Sequence, residues 1–175
     1  MKRCDARSNP RAHPCAVLEE ERLDTAIHDC AGFDCGVPAL NDYLRKFANQ
    51  HRRRGVSQTY VLVDDRAPTQ VLGYYTLSAA QLEAESLSDA ERKRLPRYPI
   101  LCIRMGRLAV SSLSRGQGHG RVLIGLAVER CLKARQEVAA YALVVDAKDE
   151  SAVEFYRHYG LTACRDAPRT LYLAL

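Results

Sequence analysis

From Arg107 the chain runs through an apolar segment, Arg107-Leu108-Ala109-Val110, and a polar loop, Ser111 to Ser114, into Arg115-Gly116-Gln117-Gly118-His119-Gly120. A helical pattern then continues from Arg121 to about Arg135. Strand, glycine-rich turn and helix, in that order, constrain the fold more than any other stretch. The arrangement aims several backbone N–H groups at a helix N-terminus, where a phosphate fits. Glycine at 118 and 120 lets the backbone approach a bulky anion with no Cβ in the way.

Several phosphate-binding loops compete for these residues. A P-loop ends in Gly-Lys-Ser/Thr, but Gly120 is followed by Arg121-Val122, so that reading fails. A dinucleotide fingerprint reads G-x-G-x-x-G; Gly116 and Gly118 fit, but the third glycine is replaced by Arg121. What remains is R-x-x-G-x-G, from Arg115 through Gly118 to Gly120. On the hexapeptide alone, a plain glycine-rich turn capping a helix stays open.

With 175 residues the chain fits one well-buried domain and is too short for two ordinary ones. A composition 47% hydrophobic and 27% charged excludes disorder throughout. No window has the apolar length of a membrane span, and the N-terminus carries no secretory apolar region, so a cytoplasmic protein is expected. The cysteines at 4, 15, 30, 35, 102, 131 and 164 form no CxxC pair. Their odd number and scatter fit reduced thiols. A zinc site from His28, Cys30 and Cys35 has irregular spacing and is discounted; no metal is expected. The net charge of +5 is moderate, but two basic runs stand out, Arg52-Arg53-Arg54 and Arg92-Lys93-Arg94 with Arg97. On composition such runs read as solvated helix ends, where positive charge suits the dipole. The other reading is a dock for phosphate-rich ligands.

Residues 1–16, with Pro10, Pro14 and several arginines, read as a flexible N-terminal extension. A folded domain is expected over 17–175. The patterns predict a helix from Val37 to about Arg53, with Leu40, Tyr43, Leu44, Phe47 and Ala48 on its buried face. Strands at Gln58–Val63 and Val71–Ser78 form a hairpin. Gln81 to Leu95 reads as a loop or short exposed helix. A strand at Ile100–Val110 precedes the glycine loop and a helix burying Leu123, Leu126 and Ala127. A strand at Ala140–Val145, a helix at Asp149–Tyr159 ended by Gly160, and strands at Leu161–Cys164 and Thr170–Leu173 close the chain.

This order, with R-x-x-G-x-G, resembles the GNAT acyltransferases along most of the chain. The resemblance implies an α/β fold, α+β-like in character: a mixed, twisted central sheet with helices on both faces, splayed where acetyl-CoA binds. It implies that Leu108, Ala109 and Val110 lend backbone groups to the acetyl and pantetheine units. Arg115, Gly116, Gln117, Gly118, His119 and Gly120 would hold the pyrophosphate. Glu154-Phe155-Tyr156, followed by His158-Tyr159-Gly160-Leu161, is similar to the family's F-Y-x-x-x-G-F region, with leucine in place of the last phenylalanine. By that likeness Phe155 lines the cofactor and Tyr156 is the acid beside the CoA sulfur. A phenol of pKa about 10 is protonated at neutral pH and so poised to donate. The alternative is that Tyr156 is a core aromatic, the role expected of Tyr159. For a general base, Asp146, His119, Glu150 and Glu154 qualify by type only. An α-amine, pKa roughly 7.7–8.0, needs less help from a base than a lysine at about 10.4. The missing base therefore tilts the acceptor toward an α-amine.

Three further segments narrow the likeness. Phe33-Asp34-Cys35-Gly36-Val37-Pro38-Ala39-Leu40-Asn41-Asp42-Tyr43-Leu44, Gly73-Tyr74-Tyr75-Thr76-Leu77-Ser78 and Leu95-Pro96-Arg97-Tyr98-Pro99, the last followed by Gly106-Arg107-Leu108-Ala109-Val110, resemble the GNAT toxins of type II toxin–antitoxin modules. That resemblance implies acetylation of the α-amino group of aminoacyl-tRNA, blocking its use in translation. It implies a cognate ribbon-helix-helix antitoxin and suggests a homodimer. Arg52, Arg53, Arg54, Arg92, Lys93, Arg94 and Arg97 would then grip the tRNA, with salt-dependent binding. The rivals are a GNAT enzyme acting on a small amine or protein lysine, and a non-catalytic CoA- or nucleic-acid-binding protein on the same scaffold.

Overall fold

The computed structural model describes residues 17–96 and 98–175. The expected N-terminal extension and Arg97 lie outside them. Seven strands form one sheet in the order β1-β2-β3-β4-β5-β7-β6: β1 (Leu18–Arg22), β2 (Gln58–Asp64), β3 (Gly73–Leu82), β4 (Ile100–Val110), β5 (Ala142–Asp146), β6 (Thr162–Ala163) and β7 (Thr170–Ala174). Only β4 and β5 run parallel, so the sheet is mixed. Among the described residues no helix is long and apolar enough to cross a membrane.

The alternation of side chains along each strand separates two faces. Tyr60, Leu62, Tyr75, Leu77, Met105, Leu143, Val145 and Leu171 pack against Leu123, Ile124, Ala127 and Cys131 of α4 (His119–Glu137) and Val153 of α5 (Glu150–His158). On the other face are two clusters. Val61, Val63, Tyr74 and Ala109 meet Tyr43, Leu44 and Ala48, from a continuous helical run made of α1 (Pro38–Asp42), a π-helical turn (Tyr43–Phe47) and α2 (Ala48–Arg53). Ile100, Cys102, Ala142, Val144 and Tyr172 meet Ala84 and Leu87, just ahead of α3 (Asp89–Arg92). Each cluster uses the strand positions that the α4/α5 side leaves free.

Four expectations change. Leu18–Arg22 is an edge strand that no pattern announced. Its Glu20 accepts hydrogen bonds from Tyr75 and Arg130, tying it to β3 and α4. The π-helical turn adds a residue and rotates the helix phase, so Phe47 is 45% exposed instead of buried. Gln81–Leu95 does hold a short exposed helix, α3, but β3 first runs on to Leu82 and a 3-10 turn, Ala84–Ser86, precedes the helix. Leu126 is only partly buried; Ile124 and Cys131 take the core positions on α4.

The sheet opens at one place. β4 pairs with β5 only over Ile103, Arg104 and Met105, while its pairing with β3 extends to Val110. The register slips where Thr76 faces Arg107 and Leu77 faces Met105, leaving Gly106 bulged. A bulge bends its strand, and here β4 leaves β5 at that residue.

Candidate active site

The gap beyond the bulge is a cavity of about 540 Å³. Both sheet faces contribute to it: Cys35, Val37 and Leu40 from one side, Ala152, Phe155 and Tyr156 from the other, with Met105 to Val110 as its wall. Leu108, Ala109, Val110, Arg115, Gly120, Phe155 and Tyr156, all expected at the site, lie along it. Gly116, Gln117 and Gly118 form the exposed turn just outside, and His119 is buried beneath it.

That turn has the properties of an anion cradle. Gly116 and Gly118 take φ of 76° and 80°, which a side chain would strain. Gly118 caps α4 with no side-chain acceptor, so the N–H groups of the first turn of this 19-residue helix have no side-chain cap. Those donors and the helix dipole attract a phosphate. At Gly120 an added Cβ would lie 3.4 Å from the Phe155 ring, so the glycine also lets α4 and α5 meet beside the cavity.

Arg115 is braced from across the fold. Its guanidinium donates to the Cys35 carbonyl at 2.5 Å. The Cys35 N–H donates to Asn41 Oδ1 at 2.9 Å, and Asn41 Nδ2 donates to Asp34 at 2.7 Å. The N–H bond from Gly36, then the one from Asn41, holds the Asp34 carboxyl below its usual range. A Cβ on Gly36 would come 2.8 Å from the Arg115 guanidinium. The Phe33-Asp34-Cys35-Gly36 segment thus supports the phosphate loop.

Tyr156 sits on α5, whose first turn is capped by Asp149 accepting from the Ala152 N–H at 2.9 Å. Its ring packs edge-on against Phe155 at 5.3 Å. Burial pushes its hydroxyl up to about 12. The phenol therefore stays protonated at every physiological pH, as an acid must. Of the four base candidates only Asp146 lines the cavity, and its carboxylate is engaged by Arg104 at 3.4 Å and by the Thr170 hydroxyl at 2.9 Å. Glu150 and Glu154 are exposed. The buried His119 leaves Nδ1 without a hydrogen-bond partner among the described residues.

The basic runs fall at the ends of α2 and α3. Arg52 donates to Asn49 at 3.0 Å and Arg92 pairs with Asp89 at 3.4 Å; Arg53, Arg54, Lys93 and Arg94 are exposed. Both runs belong to the layer opposite α4 and α5. The short α3 is anchored by Glu91, which accepts from the hydroxyls of Tyr141, Tyr172 and Ser88. Sequence reasoning quoted Val37, Leu40 and Arg107 only inside family-like segments and gave them no role at the site, and it missed Ser151, which carries no motif. No group of three or more His, Cys, Asp or Glu side chains converges among the described residues. His28 instead faces Asp24 and, at 3.3 Å, Glu21.

A mixed sheet splayed at a bulge, with an uncapped glycine turn and a protonated tyrosine at the gap, defines a GNAT-type acyltransferase. The acetyltransferase (GNAT) domain family matches residues 47–170, and the chain belongs to that family. It is an acetyl-CoA-dependent N-acetyltransferase. Within the family it is similar to the tRNA-acetylating toxin of Mycobacterium tuberculosis, with 31% identity over 147 residues covering 84% of this chain and 86% of the relative. AtaT complexed with acetyl-methionyl-tRNAfMet superposes with a TM-score of 0.84 at 31% identity, covering 90% of this chain and 95% of the other. A tyrosine-to-phenylalanine mutant of AtaT, bound to the C-terminus of the antitoxin AtaR and acetyl-CoA, gives a TM-score of 0.74 at 29% identity, covering 90% and 93%.

Proposed function

We propose that this acetyltransferase transfers acetyl from acetyl-CoA to the α-amino group of an aminoacyl-tRNA, and so acts as a toxin that inhibits translation. One observation carries the reading: a cavity lined from both sheet faces, with the phosphate-ready turn and Tyr156 toward α4 and α5 and the arginine-bearing helices on the other side. The likeness to a tRNA-acetylating relative and to a tRNA-bound structure supports the nature of the acceptor.

In this reading the first turn of α4, with Gly116 to Gly120, binds the donor's pyrophosphate. Leu108, Ala109, Val110 and Phe155 seat the pantetheine arm. The neutral amine attacks the thioester carbon; an N–C bond forms and the amine releases a proton to solvent. Collapse of the tetrahedral intermediate breaks the C–S bond, and the departing thiolate takes the hydroxyl proton of Tyr156, which solvent then restores. Asp146, the one carboxylate among the described lining residues, is paired with Arg104, so the cavity offers the amine little help from a base. This suits an acceptor whose amine is already partly neutral at cellular pH.

Arg52, Arg53, Arg54, Arg92, Lys93 and Arg94 hold tRNA phosphates, and Arg97 belongs to the same run by sequence. A cognate antitoxin of the ribbon-helix-helix type and a cytoplasmic homodimer complete the proposal. Incubation with labelled acetyl-CoA and a panel of charged tRNAs tests it: label appears on aminoacyl ends, and labelling of free amines or protein lysines alone would refute it.

A further inference from the structure

Along β4, alternation alone would place Arg104 and Arg107 on opposite faces, because they are three residues apart. The bulge at Gly106 removes that difference: Arg104 faces Ser78 and Arg107 faces Thr76 across the β3 pairing. Leu108 and Val110 pack with the α4/α5 cluster, and Ala109 with the helix of Tyr43. Both arginines therefore lie on the α1–α3 face, at the floor between its two apolar clusters.

Their electrostatic situations differ. Arg104 is matched by Asp146. Arg107 is half-buried and lines the cavity, and among the described residues no carboxylate pairs with it. Its guanidinium lies over the Tyr43 ring, 3.7 Å from the centroid. That ring is fixed: Tyr43 is buried, its hydroxyl shares a 3.0 Å hydrogen bond with Ser57, and it stacks on Tyr74. A guanidinium held over an aromatic face still has N–H groups to offer, and their fork matches two phosphate oxygens.

A partly desolvated cation that lines a cavity calls for an anion. The donor's pyrophosphate belongs at the N-terminus of α4, in the other layer. A small amine or a lysine brings no phosphate to this side. An aminoacyl-tRNA does, one nucleotide or less from the reacting amine. We propose that Arg107 binds a backbone phosphate at the acceptor's terminal nucleotide and so determines specificity for tRNA-borne amines over free ones. The proposal rests on the aminoacyl-tRNA reading above.

The test compares kcat/KM for a charged tRNA with that for the aminoacyl ester of adenosine, which has no phosphate, in the wild type, Arg107→Gln and Arg107→Lys. Acetyl-CoA titration is run alongside on each. Arg107→Gln is expected to lose roughly tenfold or more on charged tRNA beyond any loss on the adenosine ester. The slope of log(kcat/KM) against log salt flattens by about 0.7, the value for one single-strand phosphate contact. Arg107→Lys keeps the slope while its KM for tRNA rises, which carries the test even where the glutamine variant fails to fold. Equal losses on both acceptors with an unchanged slope overturn the proposal, because they mark a packing role against Tyr43. A matching loss of acetyl-CoA affinity overturns it by assigning the anion to the donor. A wild type that acetylates no charged tRNA, yet acetylates other amines, overturns the underlying reading and this proposal together.

Discussion

Toward α4 and α5, most of the groups that would hold the acetyl donor lie in one stretch of chain, 108–120, in which only Ala109 faces the other layer. Residues 108–110 form a strand end and 115–120 the turn that follows it, with Phe155 and Tyr156 of α5 lining the same cavity. On the opposite side the basic groups come from the end of α2, the end of α3 and the middle of β4, and only the sheet brings those elements into one layer. The first site depends on local backbone geometry, which the sequence encodes in its glycines. The second depends on how distant elements pack, so it can change by substitution without disturbing the chemistry. Donor binding and acceptor choice should therefore be separable by mutation.

The largest separation is expected at Tyr156. Tyr156→Phe keeps the ring packed on Phe155 and removes only the hydroxyl that carries the acidic proton. Acetyl transfer should fall by about 10²–10⁴-fold, the usual range for a lost general acid. Acetyl-CoA affinity, measured by calorimetry, should stay within about twofold. Wild-type turnover in this variant would return Tyr156 to the core.

Reversing charge at Arg92, Lys93 and Arg94 examines the other side. We expect kcat/KM for charged tRNA to drop by roughly one to two orders of magnitude at physiological salt, with acetyl-CoA binding unchanged. Equal tRNA kinetics at low salt would mean that the run is only a solvated helix end.

The contrast between the two faces also decides what could be read from the chain. The limits of β4 match the expectation at both ends, Ile100 and Val110, and α4 starts at His119, two residues before the expected Arg121. An apolar run and a glycine turn are local signals. β1 was invisible because Leu18–Arg22 carries four charged residues in five and has no apolar face; it exists because β2 needs a partner and Glu20 meets Arg130 and Tyr75. Arg107 was visible only within the Gly106–Val110 likeness, with no face or role assigned to it. Reading its face requires the Gly106 bulge, and a lone glycine in a strand pattern signals a bulge only weakly.

A smaller effect is expected within the donor loop. Gly118→Ala forces a Cβ onto a backbone at φ 80°, at a cost of roughly 1–2 kcal/mol. If binding depends on that conformation, the acetyl-CoA Kd rises about fivefold to thirtyfold while saturating kcat on charged tRNA holds. A change in tRNA KM without a change in acetyl-CoA Kd would place the loop on the acceptor side instead.

The smallest effect is a near absence of change with pH. Burial holds the Tyr156 hydroxyl near 12, so its acid form persists well above the range of an ordinary phenol. The sign follows from what each group must be: the amine must lose a proton to attack, and the tyrosine must keep one to give. With an α-amine acceptor, kcat/KM rises through roughly pH 7.7–8.0 as the amine becomes neutral. It then stays level to pH 10. An acid at the ordinary value of about 10 would be half ionised there, and the rate would be down about twofold. An amide-linked aminoacyl acceptor, stable in base, makes the measurement practicable. A plateau reaching pH 10 supports an acid buried at the splayed sheet; a twofold fall by pH 10 means that the phenol meets solvent when the donor is bound.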